Sequence, residues 1–294
     1  MTSPNELQDT PGRPPTPSSD RFRWFLSSVG RVARSLRPPR GRTRLARLLM
    51  RYAAGTEVTY IDRSGYARVA SLGDQMEGLG FLGLHEIQPG LPTRIATGDW
   101  VIDAGANVGL VTGPLCRMVG ASGRVWAFEP LPRNVARLNE FRQMNDVKQL
   151  TIFPGGLSSE TGRMTLSLGP EGRSGWSSFT KTWGEKQSLE VPTWRLDDLV
   201  FETPPDRRVR LIKIDVEGFE PWVLRGAERT LREMQPTVVC EFNDILLRDA
   251  GSSSRALLDA FEAFGYMVAA ESRQLERELD GGVHDLVLEP ANWR

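Results

Sequence analysis

Lys213, Asp215 and Glu217 fall on alternate positions of the stretch LIKIDVEGFE at 211–220. Strand side chains alternate between faces, so the three ionisable groups share one face while Ile212, Ile214 and Val216 take the other. A carboxylate so placed can take a proton from a nucleophile, with Asp215 the first candidate base and Glu217 the second. Lys213 can pair with either, or act as a base itself if burial depresses its pKa. The plainer alternative is an ion-pair tether between strand and helix. The chain has 33 arginines and four lysines, so a lysine inside an apolar strand suggests that a compact ammonium is needed there. Asp215, Glu217 and Glu241 could together hold a divalent cation. No spacing requires one, and no metal is expected.

A second group of residues, DAGANVG at 103–109, sits where a strand would turn into a helix. Gly105 and Gly109 permit a tight turn and close approach of backbone to a ligand. Asn107 tolerates a left-handed conformation or caps a helix. Twenty residues past Gly109 the next strand ends in Glu129, where doubly wound sheets place an acid against ribose hydroxyls. Strand, glycine turn, helix, strand and terminal acid together point to a ligand with an adenosine end. NAD(P) prefers GxGxxG facing a pyrophosphate, which an acid such as Asp103 would repel. S-adenosylmethionine has a sulfonium and an amino acid end, which a nearby carboxylate suits. It is the favoured cofactor, with an NAD(P)-linked Rossmann oxidoreductase as the alternative.

Other groups are weaker candidates. His85 in GLHEIQPG is a possible base if a capping segment folds over the cofactor, and His284 reads as structural. Trp176, Ser177, Phe179 and Trp183 could form a lid over an acceptor or simply pack on the domain.

The elements that must hold these groups follow from the apolar pattern. Strand-like runs at 99–104, 124–129, 149–154, 211–215, 237–242, 266–271 and 283–289 alternate with helical patterns up to Val119, at 132–145, near 220–234 and at 254–264. This predicts an α/β, doubly wound, mostly parallel sheet covered on both faces. The last two strands read as an edge hairpin turning at Gly281-Gly282. Pro114 falls inside the first helix pattern and predicts a kink or restart. Before residue 98, a hairpin around Arg63-Ser64-Gly65 and one possible helix at 71–97 are expected. The stretch 158–208 interrupts the alternation, and so long an interruption is usually functional or disordered.

The motifs occur in an order that resembles the FkbM family of S-adenosylmethionine-dependent methyltransferases. VIDAGANVGL is similar to its first motif, and VWAFEPLPRNVARL to its second strand and following helix. GGLSSETGRMTL and VPTWRLDDL are similar to its later segments. LIKIDVEGFEPWVLRGAERTL is similar to its most distinctive motif, and VVCEFN to its fifth strand. The resemblance covers about 98–290. It implies a seven-stranded class I methyltransferase sheet, Rossmann-like, with an antiparallel last strand, in a domain at 98–294. It implies cofactor contacts from Asp103, Gly105, Ala106, Asn107, Gly109 and Glu129, with Gly156 and Leu157 beside the adenine. It also implies methylation of a hydroxyl on a sugar, polyketide or related metabolite.

Composition bounds the rest. Residues 1–20 are rich in Pro, Ser and Thr and are expected to be disordered. Residues 21–51 carry ten arginines and no acid, whereas from residue 52 onward there are 34 acids against 26 bases. The 21–97 region thus reads as a basic helical arm and a capping segment. The arm suits weak contact with an anionic surface or a solvated face, and a non-catalytic binding module built on it is the third reading. No nucleic acid partner is expected. Cys116 and Cys240, with no CxxC and two histidines, predict buried free thiols and a cytoplasmic setting. No signal peptide or membrane span is expected.

Overall fold

The computed structural model describes residues 55–83, 91–170, 172–181, 187–202 and 208–292. A two-stranded antiparallel sheet comes first, β1 (Glu57–Ile61) and β2 (Ala67–Ser71), turning at 62–66 as the hairpin expectation had it. A short helix, Gln75–Phe81, follows, capped by the Asp74 carboxylate on the Met76 and Glu77 amides.

The strands that follow are β3 (Trp100–Ala104), β4 (Arg124–Phe128), β5 (Leu150–Phe153), β6 (Gly156–Leu157), β7 (Gly162–Ser167) and β8 (Ser188–Trp194). They continue with β9 (Val209–Ile214), β10 (Thr237–Asn243), β11 (Tyr266–Val268) and β12 (Val283–Pro290). Seven of the twelve form one sheet in the order β11-β12-β10-β9-β3-β4-β5, in which only β12 runs against the rest. All five residues of β3 are buried, as a central strand covered on both faces requires. One core layer lies between the sheet and the 112–119 and 132–144 helices. The other lies between the sheet and the helices of the second half.

The chain winds from β3 toward β4 and β5, then crosses to β9 and β10 on the other side. The reversal lies between β3 and β9, and ligands of such sheets bind beyond the carboxyl ends of the strands at that point. The 158–208 interruption builds a second sheet, β6-β8-β7, at the same end of the domain.

Three local expectations are corrected. The first helix spans only Thr112–Val119, which puts Pro114 in its first turn. Amides there have no intrahelical acceptor, so no kink arises. The 220–234 helix is two helices, Glu220–Gly226 and Glu228–Met234. Asp197 accepts from the Arg229 amide (2.9 Å) and the Thr230 amide (2.8 Å) and so caps the second. β11 stops at Val268, and its connection to β12 holds a short helix, Arg273–Glu276, rather than a tight turn.

Candidate active site

The carboxyl ends of β3, β4 and β9 open on a cavity of about 330 Å³, within the usual range of about 300–1,000 Å³ for ligand pockets. One wall is the loop after β3. Gly105 has φ 80°, and a Cβ there would stand 1.9 Å from the Asp215 carbonyl oxygen. Only glycine lets these two strand exits meet. The Gly105 and Ala106 amides both donate to the Phe128 carbonyl at 3.0 Å. Asn107, left-handed at φ 51°, donates its amide to Glu129 Oε2 at 2.7 Å. Glu129 Oε1 accepts from the Leu131 amide (2.9 Å) and Asn134 Nδ2 (3.2 Å). The acid is therefore fixed in direction. Burial pushes its carboxyl up to about 7, against the pull of those hydrogen bonds.

Beneath the loop lies Lys213, 2% exposed. It is the register neighbour of Asp103 across the β3–β9 pair. Its Nζ donates to the Gly105 carbonyl at 2.9 Å and stands 3.1 Å from Asp215 Oδ2 and 3.4 Å from Asp103 Oδ1. Burial works against its charge, but Asp215 and Asp103 outweigh it and hold the pKa above the ordinary lysine value. The depressed pKa that would make Lys213 a base is thus corrected: it is a charged strut between the two strand exits.

Of the expected cofactor contacts, Asp103 and Gly109 do not line the cavity. Asp103 is fully buried, taken up by Lys213 and by the Thr112 hydroxyl (2.7 Å). The Gly109 carbonyl is turned away toward Arg68. Gly105, Ala106, Asn107, Glu129, Gly156 and Leu157 do line it.

The opposite wall carries Asp215, Glu217, Glu241 and Asp285. β9 ends at Ile214, so Asp215 and Glu217 reach the cavity from a turn and not from a continuous strand face. Glu217 is left-handed at φ 56°. Glu220 Oε1 holds the turn through the Val216 (3.1 Å) and Gly218 (3.2 Å) amides. Burial, then Asp215 and Glu220, push the Glu217 carboxyl up to about 8. Burial and the charges of Asp215 and Glu217 push Glu241 up too, and its Oε2 has no hydrogen-bond partner among the described residues. Sequence reasoning missed Asp285. It is the register partner of Glu241 in the β10–β12 pair, which only the insertion of β12 beside β10 brings about.

Trp176, Ser177 and Phe179 also line the cavity, and Met76 does so from the 75–81 helix. A Cβ on Gly156 would meet the Phe179 ring at 2.7 Å, so the small residue makes room for that ring. Ser178 Oγ donates to the Glu217 carbonyl at 3.0 Å and ties this segment to the acidic turn.

Residues 103–268 match the methyltransferase FkbM domain. The chain belongs to the FkbM methyltransferase family. Methyltransferase 1 of Beauveria bassiana is 29% identical over 190 residues, covering 59% of this chain and 74% of that protein. The hexuronic acid methyltransferase AglP of Haloferax volcanii is 30% identical over 143 residues, covering 48% and 55%. Among solved structures, the methyltransferase FkbM from Methylobacillus flagellatus aligns with a TM-score of 0.42 at 20% identity, over 66% of this chain and 44% of that one.

Membership of the FkbM family makes the protein a methyltransferase and removes the NAD(P)-linked oxidoreductase reading. The family match begins at Asp103, so the β1–β2 hairpin and the 75–81 helix lie outside it. His284 does not line the cavity, and its Nε2 is 2.8 Å from the Glu278 carbonyl. His85, Trp183 and the arginine-rich arm lie outside the described residues. Cys116 and Cys240 are buried free thiols. Among the described residues no three His, Cys, Asp or Glu side chains are placed to hold a metal ion, and no helix is long and apolar enough to cross a membrane.

The FkbM-family site carries a stability cost at alkaline pH. Glu129, Glu217 and Glu220 are raised to about 7, 8 and 7, so the folded chain keeps these protons where the unfolded chain has lost them. That contribution is complete below the unfolded carboxyl value and is lost as pH rises through the folded values. Asp62 and Asp244, held below their ordinary value, contribute equally across this window. The melting temperature is therefore expected to fall between about pH 6 and about pH 8.5, less so in Glu217→Gln. A flat or rising profile by scanning calorimetry contradicts it.

Proposed function

We propose that this FkbM-family methyltransferase uses S-adenosylmethionine to methylate a hydroxyl of a sugar or other small metabolite. The observation that carries the reading is the cavity at the β3–β9 reversal, lined by Gly105, Ala106, Asn107 and Glu129 and by Asp215 and Glu217. When bound there, S-adenosylmethionine supplies an electrophilic methyl on a sulfonium sulfur.

The chain's own residues fit that group. Glu129 keeps carboxylate lone pairs for ribose hydroxyls, and its raised pKa falls back as it gains donors. Gly105 has no room for a Cβ against the Asp215 carbonyl, so the turn brings its bare backbone to the cavity edge. Gly156 and Leu157 offer an apolar seat for the adenine. Asp215 remains to face the amino acid end or the acceptor. Glu217, with a carboxyl near 8, is matched to take a hydroxyl proton near neutrality. No hydrogen bond occupies its carboxylate among the described residues. Trp176 and Phe179 would close over the acceptor and exclude water.

We assign the methyltransferase domain to 98–294 and a capping region to the hairpin and helix before it. The name of the Haloferax relative favours a sugar-type acceptor. The two buried thiols suit a reducing, cytoplasmic setting.

Isothermal titration with S-adenosylhomocysteine tests the reading. Wild type is expected to bind saturably and to give no heat with NAD(P). Glu129→Ala is expected to weaken binding by about tenfold or more, because hydrogen bonds to a charged group are lost. In Gly105→Ala binding should vanish, since the new Cβ overlaps the Asp215 carbonyl. Failure of wild type to bind S-adenosylhomocysteine sinks the reading.

A further inference from the structure

On the S-adenosylmethionine reading above, we infer that Arg68, in the hairpin before the family domain, is a positioning residue that sets the shape of the donor-binding loop. Arg68 is 4% exposed, on β2. Its Nη2 donates to the Gly109 carbonyl at 2.7 Å and its Nη1 to the Val108 carbonyl at 3.3 Å. Its Nε donates to Asp62 Oδ2 at 2.5 Å, which neutralises and aims the guanidinium. The carbon of the guanidinium lies 4.4 Å from the centre of the Phe141 ring, on the 132–144 helix. That helix also carries Asn134, which bonds Glu129.

The loop is thus pinned from two sides. Glu129 holds the Asn107 amide from the cavity side, and Arg68 holds the next two carbonyls from behind. A planar guanidinium reaches two adjacent carbonyls at once, whereas an ammonium is a point donor. Asn107 is left-handed without being a glycine, a backbone state that surrounding contacts must hold.

Gly113 is the independent observation. A Cβ on Gly113 would lie 2.1 Å from Arg68 Nη2. Gly113 thus clears the space for the guanidinium, and Pro114 beside it costs nothing in a first turn. The helix after the hairpin also meets the segment ahead of Trp176 and Phe179, since the Gln75 amide donates to the Gly172 carbonyl at 2.8 Å.

The test uses the full chain. Titration with S-adenosylhomocysteine is expected to give a dissociation constant about tenfold higher in Arg68→Ala, on the scale of two lost charge-assisted hydrogen bonds, and partly restored in Arg68→Lys. Amide exchange in the ligand-free protein should quicken at 105–109 in Arg68→Ala while β9 and β10 keep wild-type protection. Gly113→Ala should weaken binding in wild type and add little in the Arg68→Ala background, because its severest clash is already gone and only the 3.3 Å approach to the Phe141 ring is left. If Arg68→Ala fails to fold, Arg68→Lys and Gly113→Ala carry the same comparison. Wild-type affinity in all of these variants overturns the role of Arg68. Absence of binding in wild type overturns the cofactor reading instead, and the exchange rates at 105–109 still decide for or against Arg68.

Discussion

Lys213→Met is expected to lower folding stability by about 3–5 kcal/mol, the usual cost of leaving one member of a buried ion pair without the other. Asp103 is fully buried, and Lys213 is the cation beside it. Its carboxylate would keep the Thr112 hydroxyl and lose the charge that justifies its burial. The Gly105 carbonyl would lose its ammonium donor at the same time. Stability and the donor loop therefore fail together, and S-adenosylhomocysteine binding should go with them. A merely damaging core change is separated by a second variant. Neutralising both partners in Asp103→Asn/Lys213→Met removes the unpaired charge and should recover a large part of the loss. Urea unfolding at neutral pH measures both. A single variant within about 1 kcal/mol of wild type would show the strut to be unimportant, since ordinary surface changes fall in that range.

The part of this site that could be read from the sequence is the part set by local pattern. Apolar runs ending in Asp103, Glu129 and Ile214 announce buried strands. A glycine turn between two of them announces a crevice, because backbone approach demands it whatever the rest of the chain does. What could not be read depends on contacts between distant segments. Asp103 looks like a ligand when counted along the chain. It is a counter-ion only because β9 lies beside β3 and brings Lys213 into register with it. Lys213 looked able to lose its proton because burial alone would lower its pKa; two carboxylates from different segments reverse the sign. Asp285 enters the cavity because β12 inserts between β11 and β10 against the run of the sheet, and no spacing in VHDLVLE says so. Gly113 could not be understood without Arg68, 45 positions earlier in the numbering.

Glu217→Gln is expected to reduce turnover by about 10²–10⁴-fold, the range for losing a positioned general base. Asp215 was the more obvious base from sequence, but its carboxylate is engaged by the Lys213 ammonium at 3.1 Å. Glu217 is differently placed. Burial and the neighbouring charges of Asp215 and Glu220 push it up to about 8, so near neutrality it is partly ionised and its conjugate acid is weak enough to hold the proton it takes. The sign follows from the role: a base works when deprotonated, so wild-type turnover should climb with pH and level off above about 8. Glutamine cannot titrate, so the climb should disappear in Glu217→Gln, while donor binding stays near wild type because Glu217 lies on the wall opposite Glu129. Methyl transfer to the first hydroxylated acceptor that wild type turns over provides the assay. Asp215→Asn should instead disturb binding more than the pH profile, since it frees one of the contacts on Lys213. If Asp215→Asn and Glu217→Gln both keep full turnover and an unchanged pH profile, the acidic turn is only a tether between β9 and the helix that follows it, and the proton must leave by another group.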